Sequence, residues 1–96
     1  MSIIVGVLSL HLRLPGCGSL KEKRGRLMPL KTQLRKKFNL TVAEIDYLDV
    51  WQDTLLACAV VSNELKQSQS VLQKVSIWVD EDWSDVQVVS DQIEIY

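Results

Sequence analysis

The 96-residue chain predicts an α+β fold of order βαββαβ, with a four-stranded antiparallel sheet and two helices on one of its faces. Three observations predict it. Apolar residues alternate with period two at both ends of the chain and in its middle, which marks strands. Between them lie two stretches with helical spacing of apolar residues. A length of 96 residues with 47% apolar composition fits one domain, residues 1–96, and is too apolar for a disordered chain.

Residues 3–14 predict the first strand. Ile4, Leu8, Leu10, Leu12 and Leu14 share a face with Gly6, and Val5, Val7, Ser9, His11 and Arg13 share the other. Pro15-Gly16-Cys17-Gly18 reads as a turn. Ser19 then predicts a helix N-cap, and Ser19-x-x-Glu22 fits a capping box. The helix spans Leu20–Phe38, where Leu20, Leu27, Leu34 and Phe38 align with Leu30 beside them. Pro29 lies past its first turn, where it removes a backbone bond and crowds the preceding turn at about 3 kcal/mol. Gly25 weakens the same region, so the sequence predicts a kink near Gly25–Pro29 or two short helices.

Asn39 can end this helix in a left-handed conformation. Leu40–Leu48 predicts the second strand and Asp49–Asp53 the connection. Thr54–Val61 is apolar in both phases, as a central strand would be. Ser62 is the expected cap of a second helix over about Asn63–Val79. The acids Asp80, Glu81, Asp82 and Asp85 should stop that helix by Val79 or soon after, because the negative end of the helix disfavours them. Val86–Tyr96 predicts the last strand, with a phase shift between Val88 and Val89 that suggests a bulge. Right-handed crossovers place the first and third strands in the middle, the ferredoxin-like arrangement.

The net charge of −1 hides an asymmetry. Residues 1–37 hold nine Lys/Arg and one acid, net +8, and residues 38–96 hold two Lys and eleven acids, net −9. Either one side of the domain faces a polyanion, or the halves neutralise each other once folded. Eight of the cations lie on the first helix: Lys21, Lys23, Arg24, Arg26, Lys31, Arg35, Lys36 and Lys37. On a regular wheel Lys21, Arg24, Lys31 and Arg35 form one stripe beside the apolar arc. Arg26 and Lys37 fall on the other flank, Lys23 falls close to the arc, and Lys36 points outward. A solvated face whose stems cover the core edge is one reading. Phosphate contact is the other, since solvated helices normally mix signs and Glu22 is the sole acid here. The first and third strands carry no aromatic, so any RNA contact is expected to be directed at phosphates and shape rather than at stacked bases.

The sheet face away from the helices should be polar in a lone domain, yet the third strand is apolar in both phases and Val5 and Val7 add to it. The expectation is a homodimer through Val5, Val7, Leu56, Cys58 and Val60, the rival being a loop or tail that covers the face.

An enzyme is not expected. His11 is the sole histidine and has no neighbouring partner in sequence. Cys17 lies before a helix N-terminus, a setting that can activate a thiol, but no base accompanies it. Gly16-Cys17-Gly18-Ser19 can meet an anion but lacks the Walker spacing. The turn Asp80–Asp85 lacks the EF-hand spacing. No metal, cofactor or small-molecule substrate is expected. Cys17 and Cys58 form neither a CxxC pair nor a disulfide framework, so a reducing cytoplasm is the expected compartment. No apolar run is long enough for a membrane span, and Met1-Ser2-Ile3-Ile4 lacks the basic start of a signal peptide.

Several strings carry a resemblance. Leu14-Pro15-Gly16, Ser19-Leu20-Lys21-Glu22-Lys23-Arg24, Phe38-Asn39, Val42-Ala43-Glu44, Trp51-Gln52 and Val60-Val61-Ser62-Asn63 resemble the bacterial YlxP-like family, a domain of unknown function. The resemblance runs from about Ile3 to Val79, and Met28-Pro29 departs from it. It implies a ferredoxin-like fold and a small cytosolic bacterial protein. Such proteins are typically encoded among translation and ribosome-maturation genes, which implies an RNA- or ribosome-linked role. It supplies no catalytic residues.

These readings lead to one expectation: a non-enzymatic accessory protein that binds structured RNA or a ribonucleoprotein through its basic first helix. The alternative is a homodimeric protein-interaction module without a nucleic-acid role, whose acidic turn and Trp83 engage a basic partner.

Overall fold

The computed structural model describes residues 2–96. Six elements follow in the order β1 (Ile4–Arg13), α1 (Leu20–Phe38), β2 (Thr41–Asp46), β3 (Asp53–Ser62), α2 (Leu65–Asp82) and β4 (Gln87–Ile95). The sheet is antiparallel with strand order β2-β3-β1-β4, the ferredoxin-like topology. The long, two-sided apolar strands β1 and β3 occupy its centre, as burial on both faces demands.

Alternation in β1 sets which residues meet the helices. Leu8, Leu10, Leu12 and Leu14 are fully buried with Leu27, Leu30 and Leu34 of α1 and Leu72, Val75 and Val79 of α2. Across the ladder Leu10 faces Leu56 and Leu8 faces Cys58, so these two β3 residues join the same core and are also fully buried. Gly6 belongs to this side too. A Cβ there would sit 2.9 Å from Leu72 Cδ1 and 3.3 Å from Ile95 Cδ1, so the glycine gives these two side chains room to lie close over β1. The predicted bulge in β4 is present, because the pairing shifts from His11–Ser90 to Leu12–Val88 and leaves Val89 unmatched.

Three local expectations are corrected. The first helix is not split, since α1 is one 19-residue helix with Pro29 inside it. Pro29 is exposed, and the carbonyl it crowds belongs to Gly25, which is exposed too. The second helix begins at Leu65 rather than Asn63, with Glu64 as N-cap. Ser62 holds the approach instead, accepting from Glu64 N at 3.2 Å and donating to its carbonyl at 2.9 Å. The same helix stops at Asp82, three residues past Val79 and within the acidic run, as expected. Packing outweighs the unfavourable dipole there: the Trp83 N–H donates to the Val79 carbonyl at 3.2 Å, and its ring lies 5.6 Å from Trp78. Finally β2 ends at Asp46, short of Leu48. The ladder slips between Glu44 and Asp46, and Tyr47 takes a positive φ of 61°.

Candidate nucleic-acid interface

The α1 helix starts as its capping residues dictate. Ser19 Oγ accepts from the Glu22 N–H at 3.0 Å, and Asn39 ends the helix at φ 54°. Lys23, Leu27, Leu30 and Leu34 form its buried stripe, which fixes where the remaining cations point.

Two of the eight cations are spent inside the fold. Lys23 is 2% exposed. Its ammonium meets Glu44 Oε2 at 2.8 Å and donates to the carbonyls of Tyr47 at 2.6 Å and Val50 at 2.7 Å. Glu44 is held in turn by the Thr54 hydroxyl at 2.6 Å. Lys23 is thus a peg for the β2–β3 loop, not a surface contact, and this corrects its place in the expected interface. Arg26 is clamped by Asp85: Nε donates to the carboxylate at 3.0 Å and Nη2 to the backbone carbonyl at 2.6 Å. It also donates to the Pro15 carbonyl at 2.9 Å and meets Glu22 at 3.4 Å. The hydrogen bond to Asp85 raises the guanidinium pKa above its ordinary value, so Arg26 too leaves the outward set.

The other six stay outward. Lys21, Arg24, Arg35, Lys36 and Lys37 are exposed and Lys31 is half-buried. None of them makes an ion pair with a described acid. Arg35 Nη2 donates to the Val42 carbonyl at 2.9 Å, which places the Lys21–Arg24–Lys31–Arg35 stripe on the β2 side of α1. Lys37 lies on the α2 side, 5.8 Å from the Phe38 ring centre and 6.0 Å from that of Trp78. Arg35, Lys36 and Lys37 suit the negative C-terminal end of the helix. Lys21 gains nothing of the kind, since it sits at the positive N-terminal end.

The remaining candidates are placed as follows. Cys17 is fully buried, with Sγ 3.4 Å from the Ser19 carbonyl oxygen. Burial pushes the Cys58 thiol up to about 12. His11 Nε2 lies 2.9 Å from Asp53 Oδ1, and its ring stacks on Tyr47 at 4.9 Å, a cluster that sequence spacing could not reveal. Trp83 is half-buried with its indole Nε1 inside the protein. Asp85 of the acidic turn is occupied by Arg26. Val5 and Val7 do lie on the open sheet face, but Leu56, Cys58 and Val60 point to the helices, which corrects the expected dimer surface. Among the described residues no group of three or more His, Cys, Asp or Glu side chains could hold a metal ion, and no helix is long and apolar enough to cross a membrane.

The family model described as a protein of unknown function (DUF503) matches residues 5–93. The chain belongs to the DUF503 family. The uncharacterized protein YlxP of Bacillus subtilis (strain 168) is similar to this DUF503 chain, at 43% identity over 63 residues, which cover 66% of this chain and 68% of the relative. Among solved structures, a de novo designed protein, Foldit4, shares the fold with a TM-score of 0.56 over 99% of this chain and 97% of its own, at 5% identity. Its likeness concerns the backbone alone, and the cation stripe of this DUF503 chain is read from its own residues.

Proposed function

We propose that this protein is a cytoplasmic, non-enzymatic bacterial accessory protein that binds structured RNA or a ribonucleoprotein through the outward face of α1. One observation carries the reading: six cations of a single helix keep their charge uncompensated by any described acid while eleven acids lie later in the chain. Folding pairs Lys23, Arg26 and Arg13 with acids from later segments, at Glu44, Asp85 and Asp53, and leaves the stripe aside. A cation such as Lys21, placed where the helix dipole disfavours it, contributes little to the fold and much to an anion.

Contacts of this kind draw affinity from counterion release and carry no base sequence. The α1 stripe offers two ammonium point charges and two forked guanidiniums, of which that of Arg35 is pinned at a sheet edge by the Val42 carbonyl, and this suits phosphates held in a fixed duplex or folded geometry. Combined charge reversal, Lys21→Glu, Arg24→Glu, Lys31→Glu and Arg35→Glu, should abolish binding to ribosomal RNA or ribosomal subunits at low salt while circular dichroism stays native. Unchanged binding by the reversed variant would reject the interface.

A further inference from the structure

The open face of the sheet has a composition that its surroundings do not explain. Val5, Val7 and Ser9 of β1 lie beside Val61, Ala59 and Ala57 of β3, cross-strand partners on the side away from both helices. None of the described elements packs over them, and Val61 is 68% exposed. These central rows hold no charge. Arg13 and Asp53 stand at one end, 3.6 Å apart, and Glu94 lies on the edge strand, accepting from the Tyr96 hydroxyl at 2.9 Å. An apolar centre with a polar margin is the anatomy of a protein interface rather than of a wetted sheet.

We infer that this face, centred on Val5, Val7, Ala57, Ala59 and Val61, packs against the same face of a second copy of the chain. Two arguments select a second copy. The first is charge: a twofold axis sets each residue against its own equivalents or their neighbours, and a central patch without charge meets itself with no like-charge contact. It also offers nothing for a charged partner to match. The second is area. Strands of 10, 6, 10 and 9 residues, spaced about 4.8 Å apart with a rise of about 3.4 Å per residue, give a plan of about 570 Å² before side-chain relief. That approaches the roughly 800 Å² per partner of a stable interface. Small residues at Ser9, Ala57 and Ala59 keep the centre flat, so two sheets can approach to about 10 Å. The basic stripe of α1 lies on the opposite layer, so pairing leaves it open and presents it twice. The inference is independent of the RNA reading.

Sedimentation equilibrium of the full chain from about 1 to about 100 µM should return twice the 10.9 kDa chain mass. Ala59→Glu should shift the mass to that of one chain. So should Val61→Lys, which alters a side chain already exposed in the single copy and therefore tests association without disturbing the core. Ser70→Glu, on the exposed side of α2, should remain a dimer. A single-chain mass throughout for the unaltered protein would overturn the inference. A dimer that survives both Ala59→Glu and Val61→Lys would overturn it as well.

Discussion

A lysine ammonium closed off from water is tolerated only when its proton donors are met, and Lys23 meets three acceptors, Glu44 and the carbonyls of Tyr47 and Val50. Removing one member of a buried pair leaves the other uncompensated, at about 3–5 kcal/mol. Lys23→Ala should therefore lower stability by roughly that amount in urea titration, and amide exchange in the 47–52 loop should accelerate. Its helical spacing with Leu27, Leu30 and Leu34 was the available signal for burial. The partners were not legible, because Glu44 of β2 and the Tyr47 and Val50 carbonyls of the loop after it reach the lysine only through the fold. Cys58 gives a second residue-level test. Its folded thiol titrates at about 12 against an ordinary value of 9.0. The folded state therefore keeps a proton that the unfolded chain releases, and stability present below pH 9 is lost as pH rises towards 12. The slope should be about 1.4 kcal/mol per pH unit in that window, and Cys58→Ala should flatten it in denaturation curves taken across the alkaline range.

At the scale of elements, the α1 helix shows how local rules and tertiary packing compete. Pro29 predicts a kink or two short helices, yet Leu27, Leu30 and Leu34 around it all reach the core, and the helix is not split. The proline ring faces solvent, and Gly25 before it adds no side chain to the crowding. Pro29→Ala restores the missing N–H and should stabilise the protein by about 1–3 kcal/mol in thermal unfolding. The order of elements, the central strands and the bulge at Val89 were all legible from alternation and turn chemistry. The start of α2 was not, because Ser62 serves the approach to the helix rather than its cap. The two-sided apolarity of β3 was legible, but its phase was not. Only the register of Leu10 with Leu56 and of Leu8 with Cys58 decides which side the helices cover.

The whole molecule is polarised. Cations stay outward on α1, acids gather at the end of α2, and the bond between Arg26 and Asp85 is the one described ion pair that links the two regions. Summed charge separation of this kind steers association with a polyanion and is weakened by salt. Sequence alone gave the asymmetry of the halves. It left undecided whether folding cancels that asymmetry, and the ion pairs answer for each cation in turn: Lys23 and Arg26 are neutralised, and the stripe is not. The most direct measurement is the affinity for a structured ribosomal RNA fragment as a function of salt, with the unaltered protein beside a variant carrying Lys21→Gln, Arg24→Gln, Lys31→Gln and Arg35→Gln. If the stripe meets phosphates, the logarithm of the binding constant falls linearly with the logarithm of salt, and the variant's slope is shallower by about 3–4. Equal slopes for the two proteins, or no binding by the unaltered protein at low salt, would contradict the account.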